Sequence, residues 1–117
     1  MALGNPVTDP RAAAGDLLIV GLPANDVGSE RQALDFIEEI RPWGVILFAR
    51  NAPSPAAFLA LTALIAERFP DVAVSIDHEG GRVNRLPLPF TRFPPMLGCA
   101  RAADPGVLRE IAHCQGA

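Results

Sequence analysis

Three short apolar runs, each separated from the next by a helical pattern, constrain this chain more than any other feature. They are Asp16-Leu17-Leu18-Ile19-Val20-Gly21-Leu22, Trp43-Gly44-Val45-Ile46-Leu47-Phe48 and Val72-Ala73-Val74-Ser75-Ile76. Runs with no polar face belong in a parallel sheet covered by helices rather than in an amphipathic hairpin. Between the first two, Ser29 and Gln32 have the spacing of a capping box. Ala33, Leu34, Phe36, Ile37 and Ile40 then share one helical face, Glu30, Arg31, Asp35, Glu38, Glu39 and Arg41 fall mostly outside it, and Pro42 ends the pattern. Between the last two, Ser54-Pro55 places serine at a helix cap and proline at the first helical position. That helix runs to about residue 69 and points Phe58, Leu59, Leu61, Leu64 and Ile65 towards a core. The order β-α-β-α-β predicts an α/β protein with a parallel sheet and right-handed crossovers.

The third run ends abruptly in Asp77-His78-Glu79-Gly80-Gly81-Arg82-Val83-Asn84-Arg85. Parallel sheets and barrels keep their binding residues at the C-terminal ends of their strands, so this loop is the candidate site. A carboxylate such as Asp77 accepts two hydroxyl hydrogen bonds at once, and charge-assisted bonds are the strong ones. Gly80-Gly81 lets the backbone turn sharply and approach a ligand, and Arg82 or Arg85 can hold the acid by a bidentate pair or bond a ligand directly. Glu79 reads as the partner of an arginine, with a general base beside His78 as the sharper alternative. Three consecutive metal ligands at 77–79 are disfavoured, because neighbours on an extended segment point to opposite sides. Gly80-Gly81 lacks both phosphate-loop patterns. Arg50 and Asn51 end the second strand on the same rim; either could touch a ligand, but bonding of loop backbone is the favoured reading. Trp43 reads as packing, and His113 receives no role.

Residues 86–95 hold four prolines and two phenylalanines. They exclude a helix or a central strand and predict a stiff strap over the mouth of the site, pinned by Phe90 and Phe93. Asp104-Pro105 caps a last helix over residues 106–115.

Composition removes several classes of function. A net charge of −3, with ten basic residues that are all arginine and scattered from Arg11 to Arg109, gives neither a nucleic-acid footprint nor a polybasic membrane patch. No apolar stretch reaches the roughly 18 residues of a membrane span. Residues 1–15 read as a flexible leader without the cationic start and apolar stretch of a signal peptide, so residues 16–117 form one domain and the expected location is cytoplasmic. Cys99 and Cys114 match no zinc or redox spacing and read as reduced thiols.

Three segments together resemble a known family: Gly44-Val45-Ile46-Leu47-Phe48-Ala49-Arg50-Asn51, Ser75 through Arg85, and Phe90-Thr91-Arg92-Phe93-Pro94-Pro95. Over residues 17–117 the chain is similar to the N-terminal third of the family 3 glycoside hydrolases, in their β-N-acetylhexosaminidase branch. The resemblance implies a (β/α)₈ barrel of which these residues supply the first three β/α units. It implies release of terminal β-linked N-acetylglucosamine with retention during peptidoglycan recycling; no cofactor or metal is expected. Asp77 matches the family's aspartate that binds sugar hydroxyls in the −1 subsite, and Arg85 a second sugar-contacting position. Where this chain has His78 the family more often has glutamine.

The family's nucleophile is an aspartate late in the barrel. Its acid/base is a histidine after a Lys-His-Phe-Pro-Gly-His-type motif, which a chain without lysine does not contain. Both catalytic groups are therefore expected beyond Ala117, and these residues alone are expected to be inactive. The expected partners are a saccharide containing N-acetylglucosamine and, to cover open strand edges, the rest of a barrel or a second copy. A non-catalytic sugar-binding or regulatory α/β protein is the alternative. A doubly wound nucleotide-binding domain would need a glycine fingerprint that Gly21-Leu22-Pro23 does not provide.

Overall fold

The three apolar runs form one parallel sheet in the order β1-β2-β3, with β1 at Ile19–Gly21, β2 at Gly44–Leu47 and β3 at Ala73–Ile76. The computed structural model describes residues 10–23, 30–102 and 104–116. The remaining elements are α1 (Pro10–Gly15), α2 (Glu30–Ile40), a 3₁₀ turn at Ala49–Asn51, α3 (Pro55–Arg68), α4 (Met96–Ala102) and α5 (Pro105–Gly116). Helix α1 falls inside the stretch read as a leader. Ser29, half of the expected capping box, lies outside the described residues, as do Asn25 and Asp26.

The register explains why the core lies on one side only. Val20, Val45 and Val74 share one row, and Leu47 pairs with Ile76 on the same face. There Val45 and Leu47 pack with Leu22 against Ala33, Leu34 and Ile37 of α2 and Leu61 and Ile65 of α3. The other face is made by the rows Ile19-Gly44-Ala73 and Gly21-Ile46-Ser75, mostly small residues. Ile19 is 55% exposed and Val74, on the edge strand, 41%. Among the described residues no further strand pairs with β1 or β3, so both edges of the sheet are open, and three strands make a sheet and not a closed barrel. The dimensions agree: a radius of gyration of 17.5 Å and extents of 53 × 44 × 20 Å describe a plate, whereas a compact chain near this length has a radius of about 13–14 Å.

Helix α3 corrects one expectation. Leu61 and Ile65, four residues apart, are buried and Phe58 packs beside them, but Leu59 is 59% and Leu64 37% exposed. At 3.6 residues per turn those two leucines lie off the stripe that meets the sheet. Helix α4 was not expected at all. It is short, contains Gly98, and opens at Pro95, whose carbonyl accepts from the Cys99 amide at 3.1 Å.

The caps fall where local chemistry puts them. Ser54 Oγ accepts from the Ala57 amide at 3.2 Å at the start of α3, with Pro55 at the first helical position. Asp104 Oδ1 accepts from the amides of Gly106 and Val107 at 2.7 and 3.1 Å at the start of α5. Ser54→Ala is expected to cost about 1 kcal/mol of stability, read as a lower urea midpoint with an unchanged slope. A changed slope would mean that the cap organises more than its own helix.

Candidate functional site

Because the strands are parallel, Leu22 and Pro23 after β1, the turn after β2 and the loop after β3 all leave from the same, C-terminal end of the strands. Asp77 leaves β3 there with its side chain 30% exposed, and its Oδ2 lies 3.6 Å from the Arg85 guanidinium, itself 34% exposed. That separation makes an ion pair but not a hydrogen bond, so both groups keep hydrogen-bonding capacity. Arg85 Nε is buried and has no hydrogen-bond partner among the described residues. An unmet buried donor of this kind costs about 1–3 kcal/mol, and such groups gather where a ligand or water completes the bonding.

Beside the pair opens a cleft of about 410 Å³ lined by Ile76, Asp77, His78, Glu79, Met96 and Gln115. Arg85 does not line it but stands beside it, against Asp77. A second cavity of about 360 Å³ shares Ile76, His78 and Gln115 and runs under Phe90, Thr91 and Phe93. Both are of a size to hold one small polar ligand. A cleft of about 370 Å³ at the opposite end of the strands contains Arg68, already paired with Glu38 and standing 5.7 Å above the Phe69 ring. Its Arg68 and Glu38 charges are thus matched within the chain.

The other expected site residues separate into two groups. Glu79 is exposed in the cleft, and no ion pair joins it to an arginine among the described residues. Of the two arginines expected to hold the strand-end aspartate, Arg85 is the one that pairs with Asp77. Arg82 is exposed, without an ion pair among the described residues. Arg50 and Asn51 are structural. Arg50 Nε and one terminal nitrogen both donate to the Leu22 carbonyl at 3.2 Å, with the guanidinium 4.7 Å above the Phe48 ring. Asn51 is fully buried; its Nδ2 donates to the Pro23 carbonyl at 2.7 Å and its Oδ1 accepts from the Phe48 amide at 3.1 Å. These bonds tie the turn after β2 to the end of β1. Asn51→Ala would remove both bonds and leave two part-buried backbone groups without this partner, at a cost of about 2 kcal/mol, seen as a lower melting temperature. An unchanged melt would mean that water replaces both bonds.

Gly80 and Gly81 have φ of +94° and +60°, and the Gly80 and Val83 backbones bond reciprocally at 3.1 and 3.0 Å. The close approach they permit is to the proline strap rather than to a ligand: a Cβ on Gly80 would lie 2.4 Å from the Pro94 carbonyl oxygen. The strap lies as expected without helix or strand. Phe93 is 8% exposed, and Phe90 meets the Phe58 ring of α3 edge-on at 5.7 Å. Residues that the sequence reading missed hold this arrangement. Asn84 Oδ1 accepts from the Phe93 amide at 3.2 Å, and its Nδ2 donates to the Gly81 carbonyl at 2.6 Å. Gln115 and Met96 bring α5 and α4 to the cleft. An asparagine just after a glycine turn was the available signal for the first; no local pattern marks the other two.

His78 offers no lone pair to a metal, since both ring nitrogens bond to backbone groups of this chain. Among the described residues no three His, Cys, Asp or Glu side chains are grouped to hold one, and no helix is long and apolar enough to cross a membrane. Cys99 is buried and Cys114 exposed, both as free thiols.

No family model matches the chain. Curated relatives do. A β-hexosaminidase of Nitrosospira multiformis is 50% identical over 76 residues, 62% of this chain and 22% of its own. One from Nitrosomonas eutropha is 57% identical over 73 residues, covering 60% and 21%. One from Alkalilimnicola ehrlichii is 39% identical over 102 residues, covering 85% and 29%. The chain thus spans less than a third of the length of these relatives.

Proposed function

We propose that this chain, a homologue of the β-hexosaminidases over most of its length, forms one wall of a site that binds a terminal β-linked N-acetylglucosamine for hydrolysis. The observation that carries the reading is the Asp77–Arg85 pair at the C-terminal end of β3, open by 3.6 Å beside a cleft of single-sugar size. A sugar hydroxyl both donates and accepts, so it can donate to the Asp77 carboxylate while accepting from a guanidinium N–H. Replacing water on two charged groups with hydroxyls in fixed positions gives orientation as well as affinity. Glu79 and Gln115 add polar groups to the same cleft.

The wider reading is a (β/α)₈ barrel in which β1 to β3 are the first strands and the open edges and the small-residue face are covered by further units. The order β1-β2-β3 suits that barrel, and also the first half of a doubly wound sheet, so the hexosaminidase relatives are what favour it. A retaining glycosidase needs a nucleophile and an acid/base flanking the glycosidic bond. Glu79 faces the cleft without a base to pair with, because the His78 nitrogens are engaged, so these residues supply substrate binding and the catalytic groups come from elsewhere in the complete enzyme. Cytoplasmic recycling of peptidoglycan fragments follows from the family resemblance alone.

Hydrolysis of a chromogenic β-N-acetylglucosaminide tests the reading, using this chain alone and a chimera in which it replaces the matching stretch of the Nitrosospira relative. Turnover is expected from the chimera only. A folded but inactive chimera would contradict the function and favour a non-catalytic binding protein. Turnover by the chain alone would contradict the placement of the catalytic groups elsewhere.

A further inference from the structure

We infer that His78 is a positioning residue, whose ring fixes Arg85 beside Asp77 by accepting the Arg85 backbone amide on one nitrogen while the other is anchored to the proline strap. The inference deepens the proposed sugar site and rests on Asp77 and Arg85 being its binding pair. Nδ1 accepts from the Arg85 amide at 3.0 Å and from the Leu86 amide at 3.5 Å. Nε2 lies 3.0 Å from the Thr91 carbonyl oxygen, which can only accept. Nδ1 must therefore carry the lone pair and Nε2 the proton, which fixes one neutral tautomer.

The ring is locked in orientation too. It meets the mostly buried Phe93 ring edge-on, with centroids 5.8 Å apart and an interplanar angle of 80°. Gln115 Nε2 lies 3.5 Å from the His78 carbonyl oxygen, which brings the last helix to the same point. His78 follows Asp77 directly in sequence, so its ring draws residue 85 back to the strand end it has just left. The Asp77–Arg85 separation of 3.6 Å is set at that closure. The glycine turn and Asn84 close the loop at its tip through hydrogen bonds to Gly80, Gly81, Val83 and Phe93, none of them to residue 85. Both ring nitrogens are engaged with backbone, so His78 has no role in proton transfer.

Nitrogen-15 NMR of the wild-type chain reads the tautomer directly. The neutral form protonated at Nε2 is expected, and a ring protonated at Nδ1 or averaging between forms would overturn the inference. His78→Phe keeps an aromatic ring against Phe93 and removes both nitrogens; His78→Gln restores one acceptor and one donor. Loss of the bond should speed exchange of the Arg85 amide about tenfold and shift the Arg85 Nε–H resonance, with β2 amides unchanged. His78→Gln should return both signals towards wild type. A folded His78→Phe protein with Arg85 unmoved would overturn the inference, as would a His78→Gln protein that fails to protect Arg85. The second result decides the matter even where the phenylalanine variant does not fold. Titration with N-acetylglucosamine separates this inference from the reading it rests on. Weaker binding in His78→Phe, restored in His78→Gln, supports both. The NMR signature without sugar binding by wild type supports the positioning role and overturns the sugar site.

Discussion

Gly80→Val is expected to dismantle the site loop and to destabilise the chain by about 3 kcal/mol. Two costs combine. A φ of +94° is a conformation that a β-branched residue avoids, and a Cβ would stand 2.4 Å from the Pro94 carbonyl oxygen and 3.0 Å from Phe93 Cβ. The obstacle is backbone, which cannot swing aside as a flexible side chain would. Gly81 donates to the Phe93 carbonyl at 2.8 Å, so displacing the turn also frees the strap and uncovers Phe93. A loss of that size lowers the melting temperature by about 10–20 °C and should expose residues 80–95 to limited proteolysis. Arg82→Ala, at an exposed neighbouring position, should stay within about 0.5 kcal/mol of wild type. A Gly80→Val protein that melts with wild type would mean that strap and turn do not pack together.

Asp77→Ala is expected to lower kcat/KM of the chimera about a hundredfold, the equivalent of losing charge-assisted bonds worth about 3 kcal/mol. Its side chain is 30% exposed and pairs with Arg85 only at 3.6 Å, so the fold depends little on it and the loss should fall on substrate. Removing it also leaves Arg85 without the Asp77 carboxylate, while Arg85 Nε already has no hydrogen-bond partner among the described residues. Asp77→Asn keeps the shape and one acceptor and should lose about tenfold. Near-native turnover by Asp77→Ala would remove the carboxylate from the site.

What could be read from the sequence follows the range of the forces involved. Ser54 and Asp104 cap their helices because a side-chain oxygen and an amide two or three residues on settle the matter locally. The three strands and the buried face of α2 were legible for the same reason, since periodicity is a local record of where the core lies. Leu59 and Leu64 show the limit: an apolar count does not say which face of α3 has something to pack against. An arginine on Asp77 was legible, but that it is Arg85 and not Arg82, with no arginine on Glu79 among the described residues, was hidden because the choice depends on how the loop closes through His78 and Asn84. The strap was legible as neither helix nor strand from its prolines. Its docking on the glycine turn was not, because that contact joins residues about a dozen positions apart.

The most direct measurement is a titration of the folded chain with N-acetylglucosamine, followed by amide chemical shifts. The account predicts saturable shifts confined to residues 76–85 and the neighbouring Met96 and Gln115, absent in Asp77→Ala. No saturable change, or changes centred on the opposite cleft around Arg68, would contradict it.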